Sequence, residues 1–163
     1  SRTIGRIRSG RTGRLALMEG ELEIGRALVP PLIRAVRRRG AAQGLTIIDC
    51  PPGTSCPLVA AARGADHVLL VTEPTAFGLH DLTLAVASLR ELGLPHSVII
   101  NRAGMGDDRV EAWCREAGVP VLFRIPFSRA AAEAQSRGEG VLEHIPGLRV
   151  LLAALPERLG GKA

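Results

Sequence analysis

Asp49 closes the apolar run Leu45-Thr46-Ile47-Ile48 and is followed at once by Cys50-Pro51-Pro52-Gly53-Thr54. An apolar or β-branched run bounded by breakers predicts a strand buried on both faces. A carboxylate at the carboxyl end of such a strand stands where open parallel sheets keep their ligand sites. It can hold a hydrated Mg²⁺, and the Gly53 N–H is free to approach a phosphate oxygen. Three later apolar runs end in the same manner, on Thr72-Glu73, Asn101-Arg102 and Pro126-Phe127. Right-handed crossovers would bring all four ends to one rim of a sheet.

The elements that must position these residues follow from periodicity. Thr3 to Ile24 reads as a β-hairpin or meander, with Ser9-Gly10 and Gly13 as turn residues. Gly10-Arg11-Thr12-Gly13-Arg14 lacks the lysine and hydroxyl of a phosphate loop. Ala27 to Arg39 predicts a helix with Leu28, Leu32, Ile33 and Val36 on one stripe, Pro30 and Pro31 in its first turn and Gly40 as its stop. Strands are then expected at Leu45–Asp49, His67–Val71, Ser97–Asn101 and Val121–Ile125. Helices are expected at Pro57–Arg63, Gly78–Leu92, from Asp107-Asp108 through Ala117, Ser128–Ser136 and Gly147–Leu159. This alternation predicts an α/β fold, a parallel sheet with helices on both faces plus the N-terminal hairpin. The expected organisation is one domain over 1–163, a hairpin extension at 1–26 and an α/β core at 27–163.

Composition narrows the chemistry further. With 163 residues, 46% hydrophobic, the chain can bury a core, and with 2% aromatics that core must be aliphatic. No apolar run approaches the ~20 residues of a membrane span. Ser1-Arg2-Thr3-Ile4 opens no signal-peptide pattern, so a cytoplasmic protein is expected. The net charge of +5 is carried by arginines, clustered only at Arg34, Arg37, Arg38 and Arg39 near a helix end, where the dipole favours them. Without stacking aromatics a nucleic-acid groove is not expected. Three cysteines, Cys50, Cys56 and Cys114, form no disulfide framework or C-x-x-C pair, and the four histidines share no ligand spacing.

The run Ile47-Ile48-Asp49-Cys50-Pro51-Pro52-Gly53-Thr54-Ser55-Cys56-Pro57 resembles the Walker B strand and switch loop of MinD/ParA-type P-loop ATPases. It is most similar to the branch carrying an inserted ferredoxin-like iron–sulfur domain, and the likeness extends from about Ile4 to about Leu159. The resemblance implies that Asp49 orients Mg²⁺ through water and acts as the catalytic carboxylate. It implies that Pro52, Gly53 and Thr54 line the phosphate side, with the Gly53 backbone sensing the γ-phosphate. Asn101 and Arg102 match the pair that contacts the adenine edge and covers its face, and Pro126 and Phe127 match the loop that closes over the base. ATP and Mg²⁺ are the implied cofactors, and a homodimer through the nucleotide face and an iron–sulfur or redox protein the implied partners.

The departures matter as much. Phosphoryl transfer needs a Gly-rich loop ending in Gly-Lys-Ser/Thr, and the only lysine here is Lys162, in the tail Gly160-Gly161-Lys162-Ala163. The Walker A strand, the switch I aspartate and the 4Fe-4S domain are expected upstream of residue 1. The chain is therefore expected to be the C-terminal half of such an ATPase, with the sheet incomplete and with no hydrolysis by itself. Lacking its neighbour, Leu45–Asp49 would carry an unpaired apolar edge. An alternative is a non-catalytic, degenerate ATPase-like interaction module. Another is a small α/β enzyme with a Cys50 or Cys56 nucleophile, for which no histidine is placed as activator.

Overall fold

The computed structural model describes residues 3–25, 29–40, 44–50, 53 and 56–159. Its contacts form two compact units, residues 1–64 and 65–163.

In the first unit, β1 (Gly5–Thr12) and β2 (Leu15–Leu22) form an antiparallel hairpin. Its turn falls at Gly13-Arg14, and Ser9-Gly10, expected as a second turn, stay within β1. Helix α1 (Val29–Gly40) keeps both prolines in its first turn, where a missing N–H costs nothing. Its Leu32 is buried, and Val36 lies against Gly20 of the hairpin. Helix α2 (Cys56–Ala62) follows, and the Arg37 guanidinium donates to the carbonyls of Ala60 (3.2 Å) and Arg63, satisfying groups the helix end leaves open.

One expectation fails here. Leu45–Asp49 is not a buried strand: residues 44–50 are irregular, and Leu45 and Ile47 are 73% and 84% exposed. Apolar composition alone does not make a strand, because each backbone group needs a ladder partner. Among the described residues no strand lies beside this segment.

The second unit alternates β3 (Val68–Thr72), α3 (Ala76–Glu91), β4 (His96–Ala103), α4 (Arg109–Glu116), β5 (Val121–Pro126) and α5 (Arg129–Ser136). A 3₁₀ turn at Leu142–His144, not foreseen from the sequence, precedes α6 (Leu148–Arg158). The sheet is parallel with order β3-β4-β5, so three strands alternate with helices here rather than the four expected. Central β4 is buried on both faces: Val98 and Ile100 point one way, Ser97 and Ile99 the other. Val98 and Ile100 pack with Leu82 and Val86 of α3 and Val110 and Cys114 of α4 in one aliphatic cluster.

Candidate functional site

Because β3, β4 and β5 are parallel, their carboxyl ends share one rim. Thr72-Glu73, Asn101-Arg102 and Pro126-Phe127 therefore come together as sequence reasoning expected. Asp49 and Gly53 lie in the first unit. Asp49 is exposed at the end of the irregular segment, and Gly53 has φ +118°, a conformation that demands glycine. Pro52 and Thr54 lie outside the described residues.

The rim is shaped by an irregularity in β4. Ile100 pairs with Arg124, but the next register pair is Ala103 with Pro126, so β4 advances three residues while β5 advances two. That extra residue is a β-bulge spanning Asn101-Arg102, a feature that re-aims side chains at the end of a strand. Arg102 sits in it with φ +53°, the one described non-glycine residue in the left-handed region. For an L-residue this costs ~1–2 kcal/mol and marks a place where the surroundings override local preference. The turn continues with Met105 N–H donating to Arg102 O (3.1 Å). From the bulge, Arg102 Nη1 reaches Glu73 Oε2 on the exit of β3 at 3.4 Å.

Two further contacts tie the rim loops to one another. A Cβ on Gly106 would sit 1.7 Å from Pro74 O, so the β4–α4 loop rests directly on the β3–α3 turn. Phe127 N–H donates to Ala103 O at 3.4 Å, joining the β5 exit to β4. Helix starts face the same rim. Thr75 Oγ1 accepts from Gly78 N (3.0 Å) to cap α3, and Ser128 Oγ accepts from Ala131 N (3.2 Å) to cap α5. Asp108, expected with Asp107 to cap α4, makes no side-chain cap bond; Asp107 instead accepts from the Arg109 N–H at 3.1 Å. The Arg109 guanidinium hydrogen-bonded to Asp107 holds its carboxyl below the usual range.

Sequence reasoning missed Glu73 as the partner of Arg102, and the close contact of Gly106 with Pro74 that joins two rim loops. It also missed Phe77 and Met105, apolar side chains left exposed beside it. The run Thr72-Glu73-Pro74-Thr75 was visible as a strand end, but no local signal specifies which loop it meets. In the first unit, partial desolvation and then the Asp49 carboxylate push the Cys50 thiol up, against a weaker pull from Arg37. A thiol held protonated is a poor nucleophile. Burial likewise raises Cys114, which is almost wholly enclosed. Among the described residues no three His, Cys, Asp or Glu side chains gather as a metal cage. No described helix is long and apolar enough to cross a membrane.

The fold places the chain among α/β proteins with MinD-like architecture. It is similar to the MinD cell division protein of Aquifex aeolicus, with a TM-score of 0.60 and 19% identity over 82% of this chain and 60% of that one. A ParA family ATPase from Chlorobium tepidum TLS aligns over 52% of this chain and 37% of its own, at 24% identity and a TM-score of 0.45. Among curated sequences, the uncharacterized protein MJ0579 of Methanocaldococcus jannaschii is 27% identical over 145 residues, which is 88% of this chain and 51% of that protein. The uncharacterized protein MJ0578 of the same organism is 30% identical over 93 residues, 56% of this chain and 34% of its own length. The chain thus spans about half the length of the first of these relatives and a third of the second. No protein-family model matches the sequence.

Proposed function

We propose that these residues are the C-terminal portion of a MinD/ParA-like nucleotide-binding ATPase, supplying its Mg²⁺-side aspartate and its adenine-side loops. The observation that carries this reading is the bulged β4 exit, which presents Asn101 and the left-handed Arg102 on the same rim as Pro126-Phe127. An amide can exchange two hydrogen bonds with a base edge, while a guanidinium plane and a phenyl ring can cover base faces. The donors fit this cofactor set. Mg²⁺ keeps most of its waters and takes one or two carboxylates, so a single exposed Asp49 suits it better than a cage would. Gly53 has the backbone freedom to turn its N–H toward a phosphate. Bound Mg²⁺ would neutralise phosphate charge, and Asp49 would orient it through water.

In the complete protein, a Gly-rich loop and its lysine outside these residues grip the phosphates, ATP drives a homodimer through the nucleotide face, and an iron–sulfur protein or domain is the partner. Here the only lysine is Lys162, so the 163 residues alone do not turn over ATP.

Titration with a fluorescent adenine nucleotide tests the reading. Weak binding favouring adenine over guanine, lost in Arg102→Ala and Phe127→Ala and without phosphate release, is the expected result. Turnover at a P-loop rate, or binding indifferent to both substitutions, overturns it. A second reading, a non-catalytic docking module, is favoured by Phe77, 85% exposed at the first turn of α3, and by exposed Met105. Absence of any nucleotide binding at millimolar concentration would shift the conclusion to it.

A further inference from the structure

Glu73 and Arg102 are each anchored before their side chains meet. Arg102 stands in the β4 bulge with φ +53°. Glu73 follows Thr72, whose Oγ1 donates to Gly78 O at 2.9 Å, and precedes Pro74, whose ring fixes its own φ. The Glu73 carbonyl accepts from Thr75 N–H at 2.8 Å and lies so close to Gly78 that a Cβ there would collide with it. Both backbones are held, and from these two fixed points Arg102 Nη1 reaches Glu73 Oε2 at 3.4 Å.

That contact decides which part of the guanidinium is open to a ligand. A free arginine offers a fork of donors, and the fork fits the two adjacent acceptors of guanine, O6 and N7. Adenine carries a donor, the N6 amine, where guanine has O6, so it cannot take the fork. A carboxylate at Nη1 occupies part of the fork. What stays open is the guanidinium plane, which stacks on any base, and beside it an acceptor that suits the adenine amine and opposes guanine O6.

We propose that Glu73 selects the base: by holding the Nη1 edge of Arg102 it denies guanine its contact and leaves the rim to adenine. This rests on the nucleotide reading proposed above and adds to it the residue that discriminates. The exposed pair contributes little to stability. Its effect is on the difference between two ligands that differ at one edge, and that difference is what specificity is.

The test is titration of the 163-residue chain with adenine and guanine nucleotides carrying the same ribose-linked fluorophore, folding being checked by circular dichroism. In Glu73→Ala the preference for adenine is expected to fall about tenfold, chiefly through tighter guanine binding, as one freed bidentate contact predicts. Glu73→Gln, which keeps an acceptor oxygen, should retain most of the preference. In an Arg102→Met background, which keeps a long side chain without donors, Glu73→Ala should no longer move the ratio. A merely structural Glu73 would weaken both nucleotides alike and leave the ratio unchanged. A preference unmoved by Glu73→Ala, or moved equally with Met at 102, overturns the inference and leaves the nucleotide reading standing. So does weaker guanine binding in Glu73→Ala, which would make the carboxylate a guanine contact. Failure of the wild-type chain to bind either nucleotide removes the reading and the inference together.

Discussion

Arg102 on β4 and Glu73 at the exit of β3 face one another across two parallel strands, Nη1 to Oε2 3.4 Å, and Arg102 does so from a left-handed backbone. A solvent-exposed pair of this kind contributes only ~0–1 kcal/mol. The left-handed conformation costs ~1–2 kcal/mol. The pair therefore does not repay the conformation, and stability alone does not explain the arrangement.

Replacing Arg102 separates a role in stability from one in binding. Arg102→Gly relieves the left-handed strain while adding unfolded-state entropy, so stability should change by no more than ~1 kcal/mol in urea unfolding. Adenine-nucleotide affinity should fall about tenfold, as expected for loss of one stacking cation. A loss of more than ~2 kcal/mol in stability would make Arg102 a structural residue instead.

Gly106→Ala should behave in the opposite way. Its methyl would meet the Pro74 carbonyl, so the loop and the β3–α3 turn must part. A destabilisation of about 1–3 kcal/mol is expected, together with weakened nucleotide binding. Gly140→Ala, which opens onto free space, should lie within ~0.5 kcal/mol of wild type. Equal effects of the two alanines would refute the close packing of the rim loops.

His67 is expected to make the fold sensitive to mild acid. Its Nε2 lies 2.7 Å from Ser97 Oγ, and burial first, then the neighbouring His96, hold it below the ordinary imidazole range. The unfolded chain then binds the proton more readily, so stability falls as pH drops below ~6.5 toward the lower folded value. The slope cannot exceed ~1.4 kcal/mol per pH unit for one proton. Thermal melts from about pH 7.5 to about pH 5 should show this slope, and His67→Gln should flatten it. An unchanged slope in the variant would assign the titration elsewhere.

Glu111 acts lower on the pH scale. Arg124 donates to both of its carboxylate oxygens, at 2.6 and 3.0 Å, joining α4 to β5, and these bonds hold Glu111 below the usual carboxylate range. A depressed folded value means the contribution is present above the unfolded value of ~4.3 and is lost as pH falls through the folded one. Exposure limits it to under ~1 kcal/mol. Glu111→Gln should lower stability at neutral pH and make the acid limb shallower. An acid limb as steep as wild type would mean the pair does not contribute.

The sequence by itself determined the alternation of helices and strands, the hairpin, and the polar endings Asn101-Arg102 and Pro126-Phe127 of two parallel strands. Those are written in apolar period, proline and glycine, all of which act over a few neighbouring residues. It also determined that Leu45–Ile48 is apolar and β-prone, but not that it is a strand. Only the tertiary structure decided that it is irregular, because a ladder requires a neighbour, and no short stretch of sequence specifies one. The bulge that turns Arg102 left-handed, its reach to Glu73, and the seat of Gly106 on Pro74 were decided in the same way. Each depends on the register between strands or on two loops meeting, and neither leaves a trace in local composition.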